Sequence, residues 1–205
     1  TRQTPRYAQP GITGEELWVW FRLKLIADAG LIGLPNAGKS TLLSVVSAAR
    51  PKIASYPFTT LYPGLGVAEI DNHEFIIADI PGLIKGAHLG SGLGTRFLGH
   101  IERCKVLLHL VDCCDEDPVD SWKTIQNEIK EYGADLNEKK CITVLTKSDA
   151  LLDELNIEIE QKLKKAGAKE VYRISSISNQ GVSNLLRKVS EIIINIDKSN
   201  SDLED

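Results

Sequence analysis

Gly33-Leu34-Pro35-Asn36-Ala37-Gly38-Lys39-Ser40 sets two glycines, with four residues between them, ahead of Lys and Ser. This matches the pattern G-x-x-x-x-G-K-[ST]. An apolar run, Ala27 to Leu34 (ADAGLIGL), precedes it, and a helix-like run, Ser40 to Arg50 (STLLSVVSAAR), follows. Strand, Gly-rich loop and helix in that order are the context in which the pattern carries a mechanism. Glycines let successive backbone N–H groups converge on a phosphate chain, and the helix N-terminus adds a favourable dipole. In that geometry Lys39 reaches the β- and γ-phosphates and the Ser40 hydroxyl ligates Mg²⁺. The bland alternative is a glycine turn that binds nothing, and the rest of the chain weighs against it.

At 205 residues the chain suits one domain with short appendages and can bury a sizeable core. Hydrophobic content of 42% and charged content of 25% are ordinary globular values. A net charge of −4 argues against a strongly basic nucleic-acid-binding domain, though a local basic patch remains compatible with it. No apolar run approaches the length of about 18 residues that a membrane span needs. No signal peptide is visible at Thr1, and the absence of any Met leads to the expectation that the natural start lies upstream. Of the four cysteines, Cys113 and Cys114 are adjacent, and none shows the C-x₂-C spacing of a zinc site. Cys104 and Cys141 flank apolar runs and read as buried, reduced thiols, which fits a cytoplasmic protein.

Residues 1–26 read as a lead-in, 27–197 as the main domain and 198–205 as an acidic disordered tail. In the lead-in Leu17, Val19, Phe21, Leu23 and Leu25 alternate with Trp18, Trp20, Arg22 and Lys24, a strand pattern of period two. Its tryptophan face suits either contact with a further domain or cover by its own. A connection from Pro51 to Pro63 leads to a strand pair, Leu65–Ile70 and Glu74–Ile80, around Asp71-Asn72-His73. Pro81 to Gly94 holds five glycines in fourteen residues and reads as a mobile loop. Helices are expected over Thr95–Arg103, Pro118–Tyr132, Ala150–Lys165 and Val182–Ile196. Strands are expected over Val106–Asp112, Cys141–Thr146 and Glu170–Ile174. Strands alternating with helices imply a mostly parallel six-stranded sheet with helices on both faces, an α/β fold of the P-loop NTPase kind. Such sheets bind ligands beyond the carboxyl ends of their strands, where Gly33 falls.

Further boxes follow at strand ends. Asp79-Ile80-Pro81-Gly82 comes after FIIA; Asp79 there can hold Mg²⁺ through water, and Gly82 can offer its N–H to a γ-phosphate. Thr59 and Thr60 lie in the loop between the first helix and the second strand, where one hydroxyl can join the metal. Thr146-Lys147-Ser148-Asp149 follows CITVL. A carboxylate at Asp149 can accept guanine N1–H and N2–H₂, whereas adenine would leave it unpaired, the strongest basis for rejection. Lys147 can lay its stem over the base. Ser175-Ser176-Ile177 follows VYRI and is placed to support the base through backbone N–H. Each box alone is also readable as a solvated turn.

In this order the boxes resemble those of GTPases of the translation-factor class. GLPNAGKSTLL, YPFTTL, ADIPGLIKGA, GLGTRFLGHIERC and LLHLVD more closely resemble the Obg family of bacterial GTPases, and the likeness runs from about Glu15 to Ile196. Gln3-Thr4-Pro5-Arg6 and ELWVWFRLKLIADAG resemble the exit from that family's Gly-rich N-terminal domain, which the resemblance implies is missing from this fragment. By resemblance Gly33 to Ser40 bind phosphates, Ser40 and Thr60 ligate Mg²⁺ and Asp79 reaches it through water. Phe58, Thr59, Thr60 and Leu61 close over the nucleotide, and Asp79, Ile80, Pro81 and Gly82 sense the γ-phosphate. Thr146, Lys147, Ser148 and Asp149, with Ser175, Ser176 and Ile177, hold guanine. Asn36, Lys39, Thr60 and Gly82 are the expected catalytic set, and the large ribosomal subunit is the implied partner, with Arg96, Arg103 and Lys105 as candidate contacts. Guanosine tetraphosphate is an implied competitor of GTP and GDP, and the chain is expected to be monomeric.

Three departures matter. Leu83 stands where Ras-like enzymes place a water-orienting glutamine, and leucine cannot hydrogen-bond water. Asn36 resembles the asparagine of relatives that use K⁺ against transition-state charge, so slow hydrolysis stimulated by K⁺ is expected. His88, in the same glycine loop, reads as a solvated histidine rather than a substitute base. By resemblance the family's asparagine at Thr146 contacts the purine and ties this loop to the phosphate loop. Threonine is shorter and lacks the amide, which predicts weaker nucleotide binding with guanine preference kept. Gly64 replaces another asparagine and is expected to loosen the segment after Thr60. The competing classes are a metabolic P-loop phosphotransferase, for which TKSD would serve no purpose, and a GTP/GDP-binding scaffold with negligible hydrolysis.

Overall fold

The computed structural model describes residues 11, 13–19, 27–47, 52–53, 64–80, 101–132 and 139–201. Its centre is β1 (Ala27–Ile32), whose residues are almost all buried because helices cover both faces of a parallel strand. The chain continues through α1 (Lys39–Val46), β2 (Lys52–Ile53), β3 (Gly64–Ile70), β4 (His73–Asp79), β5 (Cys104–Asp112) and α2 (Pro118–Tyr132). It ends with β6 (Lys140–Thr146), α3 (Asp153–Ala166), β7 (Val171–Arg173) and α4 (Val182–Ser201).

The sheet order is β2-β3-β4-β1-β5-β6-β7. β1 pairs in parallel with both β4 and β5, and β6 continues the parallel run to β7. β3 pairs antiparallel with β4 from Gly64↔Asp79 to Ile70↔His73. Asp71 and Asn72 close that hairpin at φ 50° and 63°, the left-handed conformations a tight two-residue turn requires and Asp and Asn tolerate. Among the described residues the expected six strands become seven through β2, two residues paired with β3.

One sheet face is covered by Leu42, Leu43 and Val46 of α1 and by Leu185, Val189, Ile192 and Ile193 of α4, packed on Leu31, Leu108 and Val144. The other carries Ile125 and Ile129 of α2 over Ile32 and Leu107, with Leu163 of α3 beside Val111 and Leu145. Because β4 and β5 flank β1, the chain crosses over β1 between them. The carboxyl end of β1 is therefore the switch point where sheets of this kind bind ligands.

Several expectations change. Leu17–Val19 lie in no strand and are exposed, Trp18 completely, while 20–26 lie outside the described residues. A period-two pattern states which face would be buried but cannot supply a partner edge, and without a partner there is no strand. α1 stops at Val46, not Arg50, and the helix expected from Ala150 starts at Asp153 after a single 3₁₀ turn, Ser148–Ala150. α4 runs through Ser199 to Ser201, so the first part of the expected disordered tail is helical. Of the helix expected over Thr95–Arg103, only 101–103 fall among the described residues, where Ile101 is helical and a turn follows. Gly64 begins β3 paired with Asp79, while the segment it was expected to loosen, 61–63, lies outside the described residues. Cys104 and Cys141 form no disulfide among the described residues, the first buried and the second partly so. No described helix is long and apolar enough to cross a membrane.

Candidate nucleotide site

Gly33 follows β1 at φ +149°, and a Cβ there would stand 2.5 Å from the Leu110 carbonyl oxygen, so only glycine fits. The Ala37 N–H donates to the Leu34 carbonyl at 3.3 Å, exposing Pro35 and Asn36 at the tip. Asn36 takes φ +64°, a left-handed conformation that its short amide side chain favours. Gly38, at φ +88°, is the N-cap of α1 and offers no side chain to its first turn. The leading amides of α1 are thus left to whatever lies beyond the loop.

Lys39 folds back over this loop, its Nζ donating to the carbonyls of Gly33 at 2.8 Å and Leu34 at 2.9 Å. Burial lowers its pKa, partly offset by the Asp79 carboxylate. Asp79, closing β4, is the mirror case: burial raises its pKa, and the Lys39 ammonium opposes the rise. Its Oδ1 is buried and has no hydrogen-bond partner among the described residues. An ionised oxygen withdrawn from water without a donor is costly unless a cation or ordered water meets it. Asp79, with exposed Ser40 in the first turn of α1, therefore fits Mg²⁺. Ile80 is buried, and its N–H donates to the Leu31 carbonyl at 3.3 Å, holding the end of β4 against β1. Phe58, Thr59, Thr60, Leu61, Pro81 and Gly82 lie outside the described residues, as do Leu83, His88 and Arg96.

At the next strand ends the Thr146–Asp149 loop is built around contacts that local sequence does not announce. The Thr146 hydroxyl is buried and donates to the Ala37 carbonyl at 2.9 Å, with the Val111 carbonyl at 3.1 Å as its alternative acceptor. The tie to the phosphate loop expected of asparagine is therefore made by threonine. Lys147 has φ 57°, and its ammonium pairs with Asp112 at the end of β5, an interaction that raises its pKa. Cys113 donates its N–H to the Thr146 carbonyl at 3.2 Å and its thiol to the Lys147 carbonyl at 3.0 Å. Burial, then the neighbouring Cys114, pushes that thiol up to about 12, so it stays protonated and able to donate.

Asp149 is exposed within the 3₁₀ turn. Asn156, on α3 and 1% exposed, braces the turn by donating to the carbonyls of Ser148 at 2.8 Å and Leu151 at 3.2 Å. The Ser148 N–H donates to the Ile174 carbonyl at 3.1 Å, joining this loop to the next. There Ser175 is fully buried and accepts from the Ser178 N–H at 3.0 Å, while Ser176 is half-buried and Ile177 exposed. Asp112, Cys113 and Asn156 were missed as site residues. The signals were an Asp at a strand end and a polar residue on the inner face of an amphipathic helix. Lys105, a candidate partner contact, is instead held between Asp28 at 3.0 Å and Asp197 at 2.7 Å.

A mostly parallel, doubly covered sheet with a Gly-rich loop leading from its central strand into α1 is the P-loop GTPase fold. The cytosolic domain of the T. maritima FeoB iron transporter in a GDP form is similar, with TM-score 0.63 and 21% identity over 82% of this chain and 64% of that one. Aquifex aeolicus Era bound to GDP and AlF₄⁻ gives TM-score 0.62 and 24% identity, covering 83% of this chain and 57% of Era. A putative nucleolar GTP-binding protein 1 from Plasmodium falciparum gives 0.61 and 20%, covering 86% and 90%. The chain thus spans less than two thirds of the FeoB domain and of Era. The 50S ribosome-binding GTPase family model matches residues 28–147, more than half of the chain. The protein belongs to that family. A second family model, described as ethanolamine utilisation and propanediol utilisation, matches residues 110–191.

Proposed function

We propose that this chain is the nucleotide-binding domain of an Obg-like GTPase. It hydrolyses GTP slowly to GDP and phosphate and acts as a nucleotide-dependent switch in the cytoplasm during large ribosomal subunit assembly. The observation that carries the reading is the convergence of Lys39, Asp79 and the Thr146–Asp149 loop at the switch point, with Thr146 bonded to the phosphate loop itself.

The phosphates lie along the amides of Gly33 to Ser40, and Lys39 exchanges its two loop carbonyls for phosphate oxygens. Ser40 and Asp79, the latter through water, hold Mg²⁺, joined by Thr60 when the γ-phosphate is present. Bound there, Mg²⁺ neutralises charge that develops on the phosphate oxygens. Asp149 accepts the two guanine donors, Lys147 flanks the base with its ammonium anchored on Asp112, and Ser175 to Ile177 support the opposite edge. Gly82 and the Phe58–Leu61 segment report the γ-phosphate. Asn36, exposed at the loop tip, would bring K⁺ to the phosphates. Guanosine tetraphosphate competes for the same pocket. Leu83 supports the second reading, a scaffold that binds GTP and GDP without appreciable turnover.

The test is binding and single-turnover hydrolysis of GTP against ATP, in KCl against NaCl. Guanine preference with K⁺-stimulated turnover, lost in Asn36→Ala, supports the proposal. Equal binding of ATP refutes the guanine assignment, equal turnover in both salts refutes the role of K⁺, and no turnover over hours leaves the scaffold.

A further inference from the structure

We propose that Asp112, Cys113 and Cys114 form a binding site for a thiophilic divalent cation of the Zn²⁺ and Cd²⁺ class, and that filling it weakens the Thr146–Asp149 loop. Adjacent cysteines in a strand would point to opposite faces, and the C-x₂-C spacing that signals zinc is absent. The tight turn after β5 overrides that alternation. One ligand atom from each of Asp112, Cys113 and Cys114 lies within 4.8 Å of the other two. The two Sγ atoms are 3.8 Å apart. Two thiolates at about 2.3 Å from a tetrahedral ion stand about 3.8 Å from each other, so the sulfurs already hold the required spacing.

The surroundings supply the rest of a site. The Asp112 carboxylate is oriented by the Cys114 N–H, which donates to Oδ1 at 2.9 Å, and by the Lys147 ammonium on Oδ2. Such outer partners fix the direction of a metal ligand. Access is open, because Cys114 is exposed and, with Asp112, Asp115, Ser121 and Asn36, lines a cleft of about 360 Å³. The other two cysteines share none of this: Cys104 begins β5 and Cys141 lies near the start of β6, at the opposite end of the sheet. Both thiols bind as thiolates and release their protons on uptake.

Occupation removes two supports of the loop. The Cys113 thiol no longer donates to the Lys147 carbonyl, and Asp112 divides its charge between the cation and Lys147. Weakening is reciprocal by linkage, so a bound guanine nucleotide lowers affinity for the cation by the same factor. This coupling rests on the reading of the loop as the guanine clamp; the metal site does not.

The experiment titrates the reduced, metal-free chain with Cd²⁺ and follows the ultraviolet thiolate-to-metal charge-transfer band, which oxygen ligands do not produce. One ion per chain is expected, with at least a tenfold loss of affinity in Cys114→Ser, an exposed position that does not disturb folding, and none in Cys141→Ser. Absence of the band, or its persistence at parental affinity in Cys114→Ser, overturns the site. GDP is then titrated with and without saturating Cd²⁺. A rise in Kd of about tenfold in the parent that is missing in Cys114→Ser supports the coupling. An unchanged Kd with the site full refutes the coupling. Failure of GDP to bind the metal-free chain refutes the guanine reading instead, while the Cd²⁺ band still decides the site.

Discussion

Thr146→Val removes one hydroxyl and keeps the shape of the side chain. Thr146 is 2% exposed, so what is lost is a buried donor bonded to Ala37 at 2.9 Å. A hydroxyl carries one proton, so the contacts at 2.9 and 3.1 Å are alternatives and count as one hydrogen bond. Losing it, and leaving the Ala37 carbonyl short of a donor, costs about 1–2 kcal/mol. For a domain of this size that is a fall in Tm of roughly 2–8 °C. Because the bond joins the phosphate loop to the proposed guanine loop, a loss of GDP affinity is also expected, at most the roughly 5- to 30-fold that this energy corresponds to. Thr146→Asn keeps the tie and adds an amide toward the purine, so its expected gain is the about 1 kcal/mol of a single net hydrogen bond, about fivefold. Calorimetric GDP titration and thermal melts of the three proteins decide the matter. If Thr146→Val melts and binds GDP like the parent, the hydroxyl is no tie between the loops. If Thr146→Asn gains nothing, the argument that threonine sacrifices a purine contact fails.

Gly33→Ala places a methyl group 2.5 Å from the Leu110 carbonyl and forces φ +149° on an L-residue. A destabilisation of at least about 2 kcal/mol is expected in urea unfolding, and an unchanged midpoint would refute the packing. Asp149→Ala removes two charge-assisted acceptors, so GDP affinity should fall roughly a hundredfold with ADP affinity unchanged; a parallel loss of both would show a structural role. His109 is fully buried, stacked on Trp122 and hydrogen-bonded to Gln126 at 3.1 Å. Burial, then Lys39, holds it down at about 3 from the usual 6.5, so it folds neutral. The unfolded chain takes up its proton first, so this contribution is complete above pH 6.5 and is lost as pH falls toward about 3, at roughly 1.4 kcal/mol per pH unit. His109→Gln should show a shallower loss of stability between pH 7 and 5 than the parent, and equal slopes would refute the assignment.

The features that were legible from sequence are those whose cause is local. Gly33 and Gly38 are needed for backbone conformations, Asp71-Asn72 for a tight turn, and the apolar runs of β1, β5 and β6 for burial on both faces. The alternation at Leu17–Leu25 shows the limit of such patterns. It is equally regular, yet its described part, Leu17–Val19, forms no strand, because pairing depends on an edge that the pattern does not contain. The site was legible to the same depth. Lys39, Asp79 and Asp149 stand out because their motifs are contiguous, whereas Asn156, which braces the 3₁₀ turn, lies in a helix with no motif around it.

Sequence alone therefore determined the order of the boxes and the chemistry each side chain brings. A phosphate-loop motif followed by Asp79 and then by Asp149, each just after a strand, can be read wherever these residues fall in space. Only the tertiary structure decided how those boxes become one site. Thr146 reaches a carbonyl 109 residues earlier, Lys147 an aspartate 35 residues earlier, and burial of Asp79 near Lys39 leaves one of its oxygens without a donor among the described residues. These contacts depend on strand register and on the adjacency of β5 and β6, and no short-range rule relates residues so far apart in the chain.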